Sequence, residues 1–353
     1  MSEAALFGAP EADPPPVDVA LARCILHKQY GLTGVLTPLP GERDRNFRVT
    51  GPDGRQYMAR FVNAAETAPE SDFHTTLLRH LAGTRPRLPV PRLIRDRDGN
   101  DNPRAVIGGQ DVPLRVVTYL AGTPLSQLAC PPALSQALGA TLGELDRALA
   151  DFHHPGARRE LLWDITYPER LHAMLDAIDT PAARRRVENI LADHALGIAP
   201  YRDNLPWQVI HNDLNPYNVL TGPGPNPVSG IIDFGDALLA PRINDLATAL
   251  AYQLRDDHEP LRLALPFLRA YQQTCPLTAA ELALLPGLIA TRLALIITIA
   301  SWRARRYPAN RDYLLRNVPQ ALRNLTGFQA VSHDVIRATA LHAANEEPTN
   351  AQR

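Results

Sequence analysis

The sequence predicts an α+β protein of two lobes, a small β-rich N-lobe followed by a larger, mainly helical C-lobe. Three observations predict it. Short β-type runs bounded by turn residues crowd the first third of the chain. Helical periodicities dominate from Pro132 onward, and a strand-like interval at 207–233 interrupts them. At 353 residues the chain can hold two lobes with sizeable cores.

Composition removes several classes. Lys+Arg number 36 and Asp+Glu 37, so the basic excess of a general nucleic-acid binder is missing. Nearly all the cations are arginine; Lys28 is the single lysine. Cys24, Cys130 and Cys275 are scattered and odd in number, which implies no disulfide framework and fits a reducing, cytoplasmic setting. The first 16 residues hold no basic stretch leading into an apolar one, so no signal peptide is expected. The most apolar run, Leu293 to Ala300, is too short to span a bilayer and is expected to be a buried helix.

In chain order, residues 1–16 are expected to form a loose tail, rich in Pro and Ala. The N-lobe follows over 17–120. Val19, Ala22, Leu26 and Tyr30 recur at helical spacing, and Gly31 ends that helix. Strands are expected at 34–38, 46–50 and 56–62, with Pro52-Asp53-Gly54 as a hairpin turn. A helix over 73–81 carries the stripe His74, Leu77, Leu78, Leu81. Strands at 104–108 and 112–120 complete the lobe, and Gly122-Thr123-Pro124 breaks the chain. The C-lobe spans 121–344, with helices at 132–152, 168–179, 181–195, 242–254, 260–273, 278–305 and 310–326; 345–353 is a polar tail.

The interval at 207–233 carries the chemistry. His211-Asn212-Asp213-Leu214-Asn215-Pro216-Tyr217-Asn218 has the form H-x-D-L-x-x-x-N, and Asp233-Phe234-Gly235 follows an apolar Ile231-Ile232. This is the order and spacing of the catalytic and magnesium-binding segments of protein-kinase-like enzymes. A hydroxyl nucleophile needs a carboxylate to orient it and accept its proton, which suits Asp213. Magnesium on a triphosphate needs hard oxygen ligands, which suits Asn218 and Asp233. Thr221 to Ser229 is rich in Gly and Pro but contains no lysine, so it is not a P-loop.

With these segments, Ile243-Asn244-Asp245-Leu246-Ala247 and Ala251-Tyr252, the chain resembles the aminoglycoside phosphotransferase/choline kinase superfamily. Tyr30-Gly31-Leu32, the stretch Leu39 to Phe47 and Ile210 to Asp213 are most similar to its hydroxylysine kinase-like branch, whose kinase domains also occur fused to class III aminotransferases. The resemblance covers about residues 20–325. It implies a two-lobed protein-kinase-like fold and transfer of phosphate from ATP, with Mg2+, to the hydroxyl of a small hydroxylated amine or amino acid such as 5-hydroxylysine. Carried over by position, Asp213 is the base, Asn218 and Asp233 hold the metal, and His211 and Asp245 brace the loop. Arg45 and Asn46 sit where such kinases cover the phosphates. The backbone of Thr118, Tyr119 and Leu120 lies where the adenine is held.

Two departures stand out. Arg60 occupies the third-strand position where most kinases have a lysine, and its fork suits phosphate oxygens. His74 stands where many relatives carry the Glu or Gln that pairs with that lysine; Glu66 or Glu70 are possible substitutes. Asp236 and Asp256 are candidates for an acceptor ammonium and Arg303 for an acceptor carboxylate, although each also fits a solvated surface or helix-end charge. Two other classes compete: a kinase-like nucleotide binder without turnover, suggested by Arg60 and His74, and a metal-dependent hydrolase, which needs more His and carboxylate ligands than the scattered histidines offer.

Overall fold

The computed structural model describes residues 14–41, 43–223, 227–255 and 261–331. Helix α1 (Val19–Tyr30) is capped by Asp18, whose side chain accepts the Leu21 N–H, and it stops at Gly31, where φ is 70°. Strands β1 (Val35–Leu39), β2 (Arg45–Thr50), β3 (Gln56–Phe61), β4 (Arg104–Ile107) and β5 (Gln110–Thr118) form an antiparallel sheet in the order β1-β2-β3-β5-β4. Alternation sends Phe47, Val49, Ala59 and Phe61 into one core with Ala22 and Leu26 of α1. The opposite face, with Asn46, Arg48, Met58 and Arg60, looks onto the cleft. Pro14 to Pro16 depart from the expected loose tail: Pro15 is buried, and Val17 seats in the sheet core. Residues 1–13 and the expected boundary at 344/345 lie outside the described residues.

Helix α2 (Ala68–Thr84) begins earlier than its apolar stripe suggests. Thr67 and Glu70 form a reciprocal capping box, and a proline occupies the first turn. Its buried residues Phe73, Leu77, Leu78 and Leu81 belong to the core of the helical lobe, not to the sheet core. The Phe73 ring stacks on Phe152 with centroids 6.2 Å apart. Thus α2 ties the small lobe to the large one.

The large lobe is built on α3 (Pro132–Leu149), α4 (Pro181–Gly197), α5 (Ile243–Ala251), α6 (Ala264–Thr274) and α7 (Ala279–Arg306). Helices α3 and α6 approach closely because Gly139 faces the Phe267 carbonyl, which a Cβ there would meet at 2.0 Å. Helix α7 has the length and apolar composition of a membrane span, but 83% of its most apolar window is buried within the protein. The segment 168–177, expected as an α-helix, is a 3-10 helix. Pro168, Leu171, Met174 and Ala177 are buried at a spacing of three, which a three-residue turn places on one face. The single helix expected over 310–326 is two, α8 (Arg311–Leu315) and α9 (Val318–Ala330). Pro319 lacks an N–H and crowds the carbonyl four residues back, so the helix restarts around it.

A buried histidine in this lobe sets an acid limit. His194 on α4 is 4% exposed, and burial, helped by the Arg202 charge, pushes its pKa down from 6.5 to about 4. The neutral ring is favoured in the folded state. Its contribution is therefore complete above the unfolded value of 6.5 and is lost as pH falls through about 4. The urea midpoint is expected to fall over that interval, by the equivalent of at most about 3 kcal/mol, and to fall less in His194→Leu. Equal slopes in the two proteins would exclude His194 as the cause.

Candidate active site

Strand β6 (Trp207–Ile210) delivers the loop 211–218, β7 (Val219–Thr221) leads away from it, and β8 (Val228–Ile231) returns. Val219 pairs with Ile231, and the Ile232 N–H donates to the Asn218 carbonyl at 2.9 Å, so register alone sets Asn218 beside Asp233. The loop is braced from below. Both carboxylate oxygens of fully buried Asp245, on α5, accept backbone N–H groups at 2.8 Å, from His211 and Asn212. These bonds hold Asn212 at φ 65°, a left-handed conformation that asparagine tolerates better than most residues. His211 is fully buried; its Nε2 faces the Ile232 carbonyl at 3.1 Å and its Nδ1 accepts the Asp213 N–H at 3.2 Å. That network selects the tautomer protonated on Nε2 and uses both ring nitrogens structurally. Beneath Asp245, burial and the Asp245 charge push the Asp146 carboxyl well up, and the Tyr271 hydroxyl donates to Asp146 at 2.5 Å.

Three donors converge on the Asp213 carboxylate. Arg292 Nη2 reaches Oδ1 at 2.8 Å, and Asn215 Nδ2 and Asn218 Nδ2 reach Oδ2 at 2.8 and 2.9 Å. The carboxylate stays 21% exposed at the cleft floor. Burial raises its pKa to about 6 against the opposing charge of Arg292. Arg292 itself is 1% exposed on α7; it also donates to the Trp163 carbonyl at 3.1 Å and lies 5.1 Å from the Trp163 ring centroid.

The donor set at Asn218 and Asp233 fits a magnesium ion. The Asn218 amide nitrogen is committed to Asp213, which leaves its oxygen without a hydrogen bond and open to a cation. Asp233 is held at φ 64° on the tip of its turn, half-exposed, with Oδ1 accepting only a long 3.4 Å bond from Gly235 N–H. One neutral oxygen and one carboxylate suit a hard ion that keeps waters and phosphate oxygens. Among the described residues no group of three His, Cys, Asp or Glu side chains forms a metal cage, so the ligand-rich site of a hydrolase is not found there.

Across the cleft, Arg60 lies 3.5 Å from Asp44 and 3.7 Å from Asp233, with its Nε buried and without a hydrogen bond. It does not pair with α2. His74 instead contacts Glu66 at 3.4 Å and Arg159 at 3.0 Å, and burial lowers its pKa, so the ring is neutral. Burial alone would raise the Glu66 pKa, but His74 and Arg115 outweigh it and hold the carboxyl at about 2. Arg159 also donates to the Gly235 carbonyl at 3.1 Å, tying α2 to the Asp233 turn.

Several expected residues are placed differently. Strand register pairs Asn46 with Arg60 on the cleft face but Arg45 with core-facing Phe61, so Arg45 is turned away. Arg48 takes the cleft face in its place and lies over Tyr119 at 5.6 Å. The Thr118 and Tyr119 N–H groups are spent on the Arg92 and Gln56 carbonyls; among these three residues the Leu120 amide is the open one. Asp236 lies in the cleft, where burial and the neighbouring Asp213 and Asp233 charges raise its pKa to about 7. Asp256 lies outside the described residues. Arg303 is three turns beyond Arg292 on α7, about 16 Å along the axis. Arg292, Arg159, Arg48 and Asp44 were not singled out by spacing. The one available signal for Arg292 was a cation flanking the most apolar run of the chain, where a buried charge must find a partner.

The model of the Phosphotransferase enzyme family (APH) matches residues 35–285. The chain belongs to this phosphotransferase family. It is a kinase that phosphorylates a hydroxyl group of a small molecule. This family member is 24% identical to a hydroxylysine kinase of Danio rerio over 334 residues, covering 91% of this chain and 94% of that one. An amicoumacin kinase solved with AMP-PNP and Ca2+ aligns with a TM-score of 0.68 at 18% identity, over 91% of this chain and 97% of the other. A microcompartment-associated aminopropanol kinase aligns at 0.61 and 18%, over 92% and 100%. These likenesses establish the protein-kinase-like fold of the phosphotransferase.

Proposed function

We propose that the chain transfers the γ-phosphoryl group of ATP to the hydroxyl of a small hydroxylated amine or amino acid, with 5-hydroxylysine as the leading acceptor. The observation that carries the reading is the Asp213 carboxylate, oriented by three donors beside the open oxygens of Asn218 and Asp233. Asp213 orients the acceptor hydroxyl and takes up its proton. Asn218 and Asp233 would hold Mg2+, which neutralises phosphate charge when bound. Arg60 faces the phosphates, and the Leu120 amide faces the adenine. The kinship with hydroxylysine kinases supports the acceptor. Cys24, Cys130 and Cys275 are all free thiols, in keeping with a cytoplasmic enzyme.

A coupled ADP-release screen over amino alcohols, hydroxy amino acids and aminoglycosides tests this. Hydroxylysine or a compact relative is expected to give the highest kcat/KM, and EDTA is expected to stop turnover. Kanamycin-like compounds outperforming every small acceptor would overturn the acceptor class, and full activity in EDTA would overturn the metal assignment. Arg60→Met is expected to lower kcat/KM for ATP about ten- to a thousandfold, through loss of charge-assisted bonds. Unchanged ATP kinetics in that variant would place the phosphates on other donors, such as Arg48.

A further inference from the structure

The break between α8 and α9 presents one cation differently from the cleft cations Arg60 and Arg292. Arg316, in that break, is exposed, and its guanidinium lies over two aromatic rings. Its centre lies 3.7 Å from the Tyr313 ring centroid and 4.8 Å from that of Tyr217. Its one hydrogen bond goes from Nη1 to the Tyr313 carbonyl, at 2.9 Å. Among the described residues no carboxylate pairs with it, whereas Arg60 faces two and Arg292 one. Contacts to two rings restrain the planar fork and leave most of its donors open, which is how arginine is prepared for a planar anion.

Arg316 also borders the acceptor side of the cleft. Tyr217 belongs to the catalytic loop, next to Asn218 and four residues after Asp213, and is 41% exposed. Tyr252 is near both arginines: its ring centroid is 5.9 Å from Arg292, and the charges of Arg292, Asp213 and Arg316 all act on its hydroxyl. The cleft therefore has an acidic floor at Asp213 and Asp236 and a cationic rim at Arg316. We propose that Arg316, held against Tyr217 and Tyr313, binds the carboxylate of a hydroxy amino acid acceptor while the hydroxyl of that acceptor sits at Asp213. This rests on the acceptor reading above and narrows it: amino acids are favoured over amino alcohols that lack a carboxylate. Asp236, on the floor, is placed for the ammonium next to the reacting hydroxyl.

The test compares 5-hydroxylysine with its decarboxylated counterpart, 1,5-diaminopentan-2-ol. Binding to the full chain is measured calorimetrically with AMP-PNP and Mg2+ present, for the parent, Arg316→Met and Arg316→Lys. The parent is expected to prefer the amino acid by about 10- to 100-fold, the range for one charge-assisted pair at a partly exposed site. The preference is expected to fall to about one in Arg316→Met and to survive in part in Arg316→Lys. Equal affinities in the parent, a preference that persists in Arg316→Met, or a loss of AMP-PNP binding in its place would overturn the assignment. ADP release, measured in parallel, separates the two readings: an Arg316-dependent preference without turnover would keep the carboxylate site and reject the kinase acceptor.

Discussion

Asp213→Asn is expected to reduce turnover by about two to four orders of magnitude while leaving nucleotide affinity close to that of the parent. The substitution preserves the shape of the side chain but removes the charge that orients a hydroxyl and accepts its proton. It also puts an amide N–H₂ where one of the carboxylate oxygens stood. Oδ2 now accepts from both Asn215 and Asn218, so an amide nitrogen there would face two donors. The amide oxygen is therefore kept on that side, and its nitrogen is turned toward Arg292, a donor as well. Even this better orientation leaves the Arg292 donor unmatched, which adds to the loss. The Asn218 amide keeps its 2.9 Å bond to the main-chain carbonyl of residue 213, which holds its oxygen toward the cation, so the AMP-PNP dissociation constant with Mg2+ should move little. Turnover near the parent value in the ADP-release assay would remove Asp213 from the base role.

Arg292→Met is expected to be costly to stability and activity together. The guanidinium is 1% exposed and bonded to both Asp213 and the Trp163 carbonyl. Breaking a buried ion pair by deleting one member costs about 3–5 kcal/mol, because the other charge is left behind. The low end applies here, since Asp213 keeps two amide donors and some solvent. A Tm lower by several degrees is expected. Turnover should also drop by at least about a hundredfold, because the Asp213 carboxylate loses the bond that fixes Oδ1. The double variant Asp213→Asn/Arg292→Met separates pairing from packing. Removing both charges should destabilise less than the sum of the two single changes. Additive losses would mean that Arg292 acts through its contacts with Trp163 and Tyr252 alone.

The acidic cluster and its arginines explain why the two lobes are drawn together at the cleft. Arg60 spans from Asp44 in the small lobe to Asp233 in the large one. Arg159 spans in the other direction, from the Gly235 carbonyl to His74 and Glu70 on α2. A lysine–glutamate pair is thus replaced by two arginine bridges that both end on the Asp233 turn. His74 is neutral first because it is buried; the charges of Arg115 and Arg159 also oppose a third cation there, and a neutral ring can accept from the Arg159 guanidinium.

The sequence by itself determined the elements whose cause is local. The H-x-D-L-x-x-x-N loop and the Asp233 turn were legible because base and cation-facing side chains sit within a few residues of one another or on strands joined by a short return. The β3 alternation was enough to turn Arg60 toward the cleft, because side chains on a strand alternate whatever they meet. Helix ends were less legible: the Thr67–Glu70 box moved the start of α2 upstream of its stripe, and Pro319 split the last helix. The tertiary structure alone decided which charges meet. Arg292 stands 79 positions from Asp213, Arg159 stands 85 from His74, and Arg115 stands 49 from Glu66. No periodicity encodes such pairs. They follow from the placement of α7 beside the catalytic loop and of α2 beside the 155–159 segment and β5, and burial then makes each unpaired charge too costly to leave without its partner.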